Sequence, residues 1–243
     1  RLADIADYFL THNRDIYLRS DDSILKYTAG HKRYIRRSRG FVPIPIFLNR
    51  PVPAILACGA ELKNTICLTK GDKAFLSQHI GDLENMMTLD FFKLTVDHLQ
   101  RILEIQPEII ACDMHPDYLS TRFAKEKTDI RLIEVQHHHA HIVSGMAEHR
   151  LEGAVIGLAF DGTGYGSDGT IWGGEVLVAD AEQFERVAHL AEVSMPGSSA
   201  AIKEPWRMAI SYLHTAFGEK VLDFDLPLVK QNDRKKIKII VEM

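Results

Sequence analysis

Ala154-Val155-Ile156-Gly157-Leu158-Ala159-Phe160-Asp161-Gly162-Thr163-Gly164-Tyr165-Gly166 is the stretch on which the fold turns. Ala154–Phe160 is apolar or small throughout, the pattern of a buried strand. An acidic, glycine-rich turn follows at once and continues through Ser167-Asp168-Gly169. Glycines permit positive φ and let backbone N–H groups approach an anion closely. Thr163 adds a hydroxyl donor, and Asp161 suits a divalent cation or the orientation of an attacking group. The same residues also suit a plain tight hairpin. The turn matches neither G-x-G-x-x-G nor the Walker loop, which excludes Rossmann and P-loop readings.

Upstream, Ala54–Gly59, Thr65–Thr69 and Ala74–Ile80 are strand-like runs separated by polar turns, so they predict a meander. Leu89, Phe92, Val96, Leu99 and Leu103 predict a helix from about Thr88, which Pro107 stops. A strand (Glu108–Cys112), a helix (about Tyr118–Lys127), a strand (Arg131–Val135) and a helix (about His138–His149) follow. The order is βββαβαβα. At Ala154 it restarts, with strands at Ala154–Phe160, Thr170–Val178 and Val187–Val193 and a helix at Ile202–Phe217. Each series opens on a hairpin with a small, polar first turn, Gly59–Asn64 in one and Asp161–Gly166 in the other.

The first fifty residues are less regular. Leu2, Ile5, Ala6 and Phe9 predict an opening helix, Ile16–Arg19 is extended, and Ser20-Asp21-Asp22-Ser23 is a turn cluster. Lys32, Arg33, Arg36, Arg37 and Arg39 form a basic tract. Pro43, Pro45, Pro51 and Pro53 predict linker-like backbone and a domain boundary near Phe47–Pro51. Three segments result: 1–48, the tail of a domain with its linker; 52–150, a first α/β half; and 151–243, the start of a second. The opening residue, Arg1, suggests a piece of something longer.

Hydrophobic residues make up 46% and charged residues 26% of the 243, a globular composition. A net charge of −4 gives no whole-surface attraction to nucleic acid or membrane. The apolar runs are far shorter than a membrane span, and Asp4 and Asp7 interrupt Leu2–Leu10, unlike a signal peptide. Cys58, Cys67 and Cys112 include no CxxC pair, which argues against a disulfide framework and fits a reducing cytoplasm. They fall in or beside predicted strands, as structural thiols do, and none is expected to be a nucleophile.

Gln136-His137-His138-His139-Ala140-His141 is the second chemical signal. On a helix His137 and His141 share one face a turn apart, a spacing that lets two imidazoles take one metal ion. His138 and His141 are also near neighbours, so spacing alone does not choose. A structural histidine cluster is the simpler reading. A metal site would need a carboxylate from elsewhere.

Two facing βββαβαβα halves resemble the actin/Hsp70-like (ribonuclease-H-like) superfamily, whose paired hairpin turns hold phosphates in one cleft; here the second half is incomplete. More specifically, Val135–His141, Phe160–Gly166 and Glu204-Pro205-Trp206-Arg207-Met208-Ala209 resemble HypF, the carbamoyltransferase family of hydrogenase maturation. Gly81-Asp82-Leu83-Glu84-Asn85, Leu62-Lys63-Asn64 and Arg36–Pro43 extend the likeness along the chain. The resemblance implies that residues 1–48 end a YrdC-like domain and that a TsaD-like (Kae-type) domain follows. It implies a cytoplasmic enzyme that uses carbamoyl phosphate and ATP with Mg2+, by way of carbamoyl-adenylate. The carbamoyl group would pass to the C-terminal cysteine of HypE, on the way to the cyanide ligands of NiFe hydrogenase.

The resemblance further implies His137 and His141 as ligands of a divalent metal, iron or zinc, with a third ligand, an Asp, beyond Met243. Asp161 and Lys63 take catalytic roles. Gly162, Thr163, Gly164, Gly166 and Asn64 face phosphate, and Arg36, Arg37 and Arg39 neutralise phosphate charge; the plain alternative for the arginines is a solvated basic face. One departure stands out: Ser198-Ser199 follows Pro196-Gly197, where the family has Pro-Gly-Gly. Serine is less free than glycine at positive φ. The competing readings are a TsaD-like transferase acting on tRNA, which calls for a basic surface, and an inactive fragment that docks a partner.

Overall fold

A computed structural model describes residues 2–243. The amphipathic spacing at the start does not produce the expected helix: a 3-10 turn covers Leu2–Asp4, and residues 5–23 hold no regular element. Ile5, Ala6 and Phe9 of that stripe are exposed rather than packed, and a helix this short is not stable unaided. The hairpin of β1 (Ile24–Thr28) and β2 (His31–Arg36) follows.

The proline-rich stretch is a strand rather than a linker. β3 (Ile46–Val52) pairs antiparallel with the later part of β5 (Cys67–Leu76), and β4 (Ile55–Ala57) pairs with its beginning. Pro51 is accommodated because β3 is the outer strand and its register shifts between Phe47 and Val52. A straight ten-residue strand would span roughly 33 Å. Yet the Ser77 N–H donates to Ile66 O at 2.8 Å and the Asn64 N–H to Gly81 O at 3.0 Å. β5 therefore folds back on itself at Gly71-Asp72, where Gly71 takes φ +60. Its two arms are the second and third strands of the expected meander.

α1 (Met86–Leu103) begins two residues before the expected Thr88, because the Asn85 side chain caps it by accepting the Thr88 N–H at 3.0 Å. Its Leu89, Phe92, Val96 and Leu99 close over Leu56, Ile66, Leu68 and Ile110 of the sheet. β6 (Ile109–Asp113), α2 (Leu119–Lys125), β7 (Arg131–Val135) and α3 (His137–His149) complete this part. The sheet order is β3-β5-β4-β6-β7, with β4, β6 and β7 parallel. Asp113 and Val135 are register partners at the C-terminal ends of β6 and β7. In parallel sheets that edge is where ligands are held.

β8 (Val155–Ala159) opens the second series. A small hairpin, β9 (Gly164–Tyr165) and β10 (Ile171–Trp172), leads to β11 (Glu175–Ala179) and β12 (Phe184–His189). β8, β11 and β12 form an antiparallel sheet in the order β12-β11-β8. The single strand expected at Thr170–Val178 is broken at Gly173-Gly174, with Gly174 at φ +87. The next strand lies earlier than Val187–Val193, because Asp180 Oδ1 accepts the N–H groups of Glu182 and Gln183 and closes a tight turn. The helix expected at Ile202–Phe217 is two, α4 (Ser199–Lys203) and α5 (Trp206–Phe217), since Pro205 cannot continue a helix. α6 (Pro227–Gln231) and α7 (Arg234–Glu242) follow, with Ile210, Val221, Ile237 and Ile240 as their shared core.

By internal contacts the chain forms two compact units, residues up to Gly153 with Tyr165–Thr170, and Ala154–Gly164 with Ile171–Met243. Among the described residues no helix is long and apolar enough to cross a membrane.

Candidate functional site

In the first unit the histidine cluster sits where β7 hands over to α3. Gln136 is the N-cap: its side-chain oxygen accepts the His139 N–H at 2.9 Å, while its Nε2 donates to His138 Nδ1 at 3.0 Å and to Tyr165 O at 3.2 Å. His138 and His139 are buried, held by that cap. His137 and His141 turn the other way, with their Nε2 atoms 3.2 Å apart. Two Zn–N bonds of about 2.05 Å at a near-tetrahedral angle place two nitrogens about 3.3 Å apart. The geometry thus selects His137 and His141 from the pairings that spacing left open, and the pair fits one metal ion.

Asp113 escaped the sequence reading. It is buried at the end of β6, and its Oδ2 accepts from His137 Nδ1 at 2.7 Å. Its Oδ1 accepts the His115 N–H at 2.8 Å. The His115 ring stacks on Tyr118 at 4.1 Å, and Tyr165 meets its edge at 5.3 Å. The only sequence signal is a carboxylate one residue past the predicted strand Glu108–Cys112, and it matters only beside a parallel neighbour.

In the second unit Asp161 lies half-buried two residues after the end of β8, with Gly162 exposed beyond it. Gly162 does not take positive φ; the left-handed backbone falls at Gly169 and Gly174 instead. The glycine that matters sterically is Gly173, where a Cβ would lie 2.7 Å from Gly162 O. Glu175 holds that strand in place: its Oε1 accepts the Gly173 N–H at 3.0 Å, and Arg186 grips its carboxylate at 2.6 and 3.1 Å. The Arg186 guanidinium lies 4.1 Å over the Trp172 ring.

Lys63 and Asn64 part company. Lys63 is exposed in a left-handed conformation, φ +51, with its N–H bonded to Asp82 Oδ1 at 2.7 Å. Asn64 is buried, and its amide donates to Cys58 O at 2.9 Å and Ala60 O at 2.6 Å. Its donors are spent on the turn, leaving Lys63 as the member that reaches solvent. The basic tract is internally paired: Arg36 with Asp21 at 3.6 Å, Arg39 with Asp22 at 3.3 Å, and Arg37 with the carbonyls of Phe41 and Ile44. Ser198 has φ +49, so the serine stands where glycine would be unstrained. All three cysteines are free thiols. Burial, with Cys112 as a neighbour, pushes Cys58 up to about 12, and burial pushes Cys67 and Cys112 up to about 11. Thiols so held are poor nucleophiles at neutral pH.

Comparison with known proteins covers both chemical segments. The HypF Kae1-like domain family matches residues 50–148, and the family described as carbamoyltransferase, Kae1-like domain, second subdomain, matches 157–243. Carbamoyltransferase HypF2 of Cupriavidus necator is 49% identical over 220 residues, 88% of this chain and 27% of that protein. Carbamoyltransferase HypF of Rhizobium leguminosarum bv. viciae is 47% identical over 216 residues, 89% of this chain and 28% of that one. A crystal structure of full-length HypF in the phosphate- and nucleotide-bound form superposes with a TM-score of 0.88 at 47% identity, covering 100% of this chain and 38% of that one. The T. kodakarensis HypF structure gives 0.76 at 40% identity, covering 82% and 27%. This chain thus spans under a third of the length of these two sequence relatives. The two matched stretches meet around the division between the compact units, one carrying the histidine helix and the other the glycine loop, and on that correspondence the chain belongs to the HypF family.

Proposed function

We propose that this chain is the Kae1-like part of a carbamoyltransferase of hydrogenase maturation. The observation that carries the reading is the convergence of His137 and His141 on one point, 3.2 Å between their Nε2 atoms, in a chain of this family. The related structure that holds phosphate and a nucleotide supports ATP and carbamoyl phosphate as the substrates. Residues 1–48 are read as the end of a YrdC-like domain, consistent with a family match that starts at residue 50. The rest is read as two ribonuclease-H-like halves, the second incomplete; the meander of β4 with the two arms of β5, followed by parallel β6 and β7, supports this for the first.

In this reading the substrate is carbamoyl-adenylate, a mixed anhydride. The amides of Gly162 and Gly164 and the Thr163 hydroxyl hold its phosphate, Gly166, whose N–H donates to Thr170 O at 2.8 Å, shapes the turn behind them, and Asp161 orients a cation or the attacking group. In the first unit Lys63 adds positive charge from its own hairpin turn, and Asn64 keeps that turn in shape. Arg36, Arg37 and Arg39 serve phosphate in the preceding YrdC-like step. His137 and His141 would hold a divalent metal ion, read as iron or zinc from the family likeness, which would supply Lewis acidity for the developing oxygen charge. The thiolate of the acceptor, the C-terminal cysteine of HypE, attacks the carbonyl carbon. A C–S bond forms, the C–O bond to phosphate breaks, and AMP leaves with the electron pair. The setting is cytoplasmic.

The test is metal content together with binding of a non-hydrolysable carbamoyl-adenylate analogue, on this chain and on the double variant His137→Ala/His141→Ala. Near-stoichiometric metal that disappears in the variant, with weaker analogue binding, is expected. A folded chain that takes neither metal nor analogue would overturn the reading for this segment and leave it a partner-docking piece.

A further inference from the structure

Asp113 divides its carboxylate between two elements. Oδ2 takes the proton-bearing side of the His137 ring at 2.7 Å, and Oδ1 takes the His115 N–H at 2.8 Å. Its own backbone carbonyl accepts from Thr121 Oγ1 at 3.0 Å, so the residue is fixed from α2 as well. A carboxylate only accepts, which requires the hydrogen of His137 to be on Nδ1. In the neutral ring, the form that binds metal, the lone pair is then on Nε2, the atom that faces His141 Nε2. The two Nε2 atoms, 3.2 Å apart, share a hydrogen bond that a metal ion would replace.

We propose that Asp113 is a positioning residue for the metal pair, setting the tautomer and ring angle of His137 so that Nε2 is presented as a ligand. It touches neither metal nor substrate. The proposal rests on the reading of His137 and His141 as ligands. Partners of this kind change metal affinity by about 10- to 100-fold when removed. Asp113→Asn is informative because its neutral amide offers one acceptor oxygen where the carboxylate offers two, to the His137 Nδ1–H and the His115 N–H, and it lacks the charge that makes the ring a stronger ligand.

The measurement is the affinity of the chain for Zn2+ by competition with a chromophoric chelator, with thermal unfolding recorded alongside. Zn2+ binding weakened about 10- to 100-fold in Asp113→Asn, with partial recovery in Asp113→Glu, is the expected result. Wild-type affinity in a folded Asp113→Asn overturns the proposal. A wild-type chain that binds no Zn2+ overturns the ligand reading, and this proposal with it. If the variant fails to fold, the 15N imidazole shifts of His137 in the metal-free wild-type chain decide: Nδ1–H with a bare Nε2 is expected, and Nε2–H overturns the assignment.

Discussion

A single methyl group on Gly173 would test how tightly the glycine loop is held. Its Cβ would lie 2.7 Å from Gly162 O and 3.3 Å from Gly162 C, both backbone atoms, so the loop itself has to move. Gly173→Ala is expected to fold, to cost about 1–3 kcal/mol of stability, and to weaken binding of the adenylate analogue, read by calorimetry. Ser198 poses the opposite case. At φ +49 its side chain carries strain of about 1–2 kcal/mol that glycine would not. Ser198→Gly should raise the melting temperature by a few degrees, on the order of 2–4 °C per kcal/mol for a chain this size. Both positions could be suspected from sequence, since glycine-rich motifs name their own constraints. Asp113 could not, because its partner His137 is found only when the parallel register of β6 and β7 is known.

Among the elements, β11 and β12 are joined by more than their ladder. Glu175 is buried, and Arg186 is its bidentate partner from the next strand. Removing one member of such a pair leaves a buried charge and costs about 3–5 kcal/mol, whereas replacing both with apolar residues recovers most of it. Urea unfolding of Arg186→Met and of Glu175→Leu/Arg186→Met should show this contrast; equal losses in the two would mean the pair contributes through shape alone. The elements that sequence periodicity predicted correctly are those whose apolar stripe meets a core, α1 above all. Those it misjudged lack that closure or depend on one local bond. Ile5 and Phe9 of the opening stripe stay exposed, Pro51 passes on an outer strand, and Pro205 divides a continuous apolar pattern into α4 and α5.

For the molecule as a whole, the three thiols make stability depend on pH in a defined direction. Their folded values stand near 12 for Cys58 and near 11 for Cys67 and Cys112, above the ordinary 9.0. Above pH 9 the unfolded chain releases these protons while the folded chain keeps them, so stability falls as pH rises from about 9 toward 11. Urea midpoints at pH 8 and pH 10.5 should fall further apart for the wild-type chain than for Cys58→Ala/Cys67→Ala/Cys112→Ala. A parallel decline in both would assign the loss to other groups. The histidine pair is local by contrast, with one distant carboxylate, Asp113, holding the His137 ring. His137 and His141 are four residues apart on α3, so bringing them together closes almost no loop. Helical pitch sets their spacing and Asp113 the angle of one ring, so an ion captured there would brace the first turn of α3 and tie it to the end of β6.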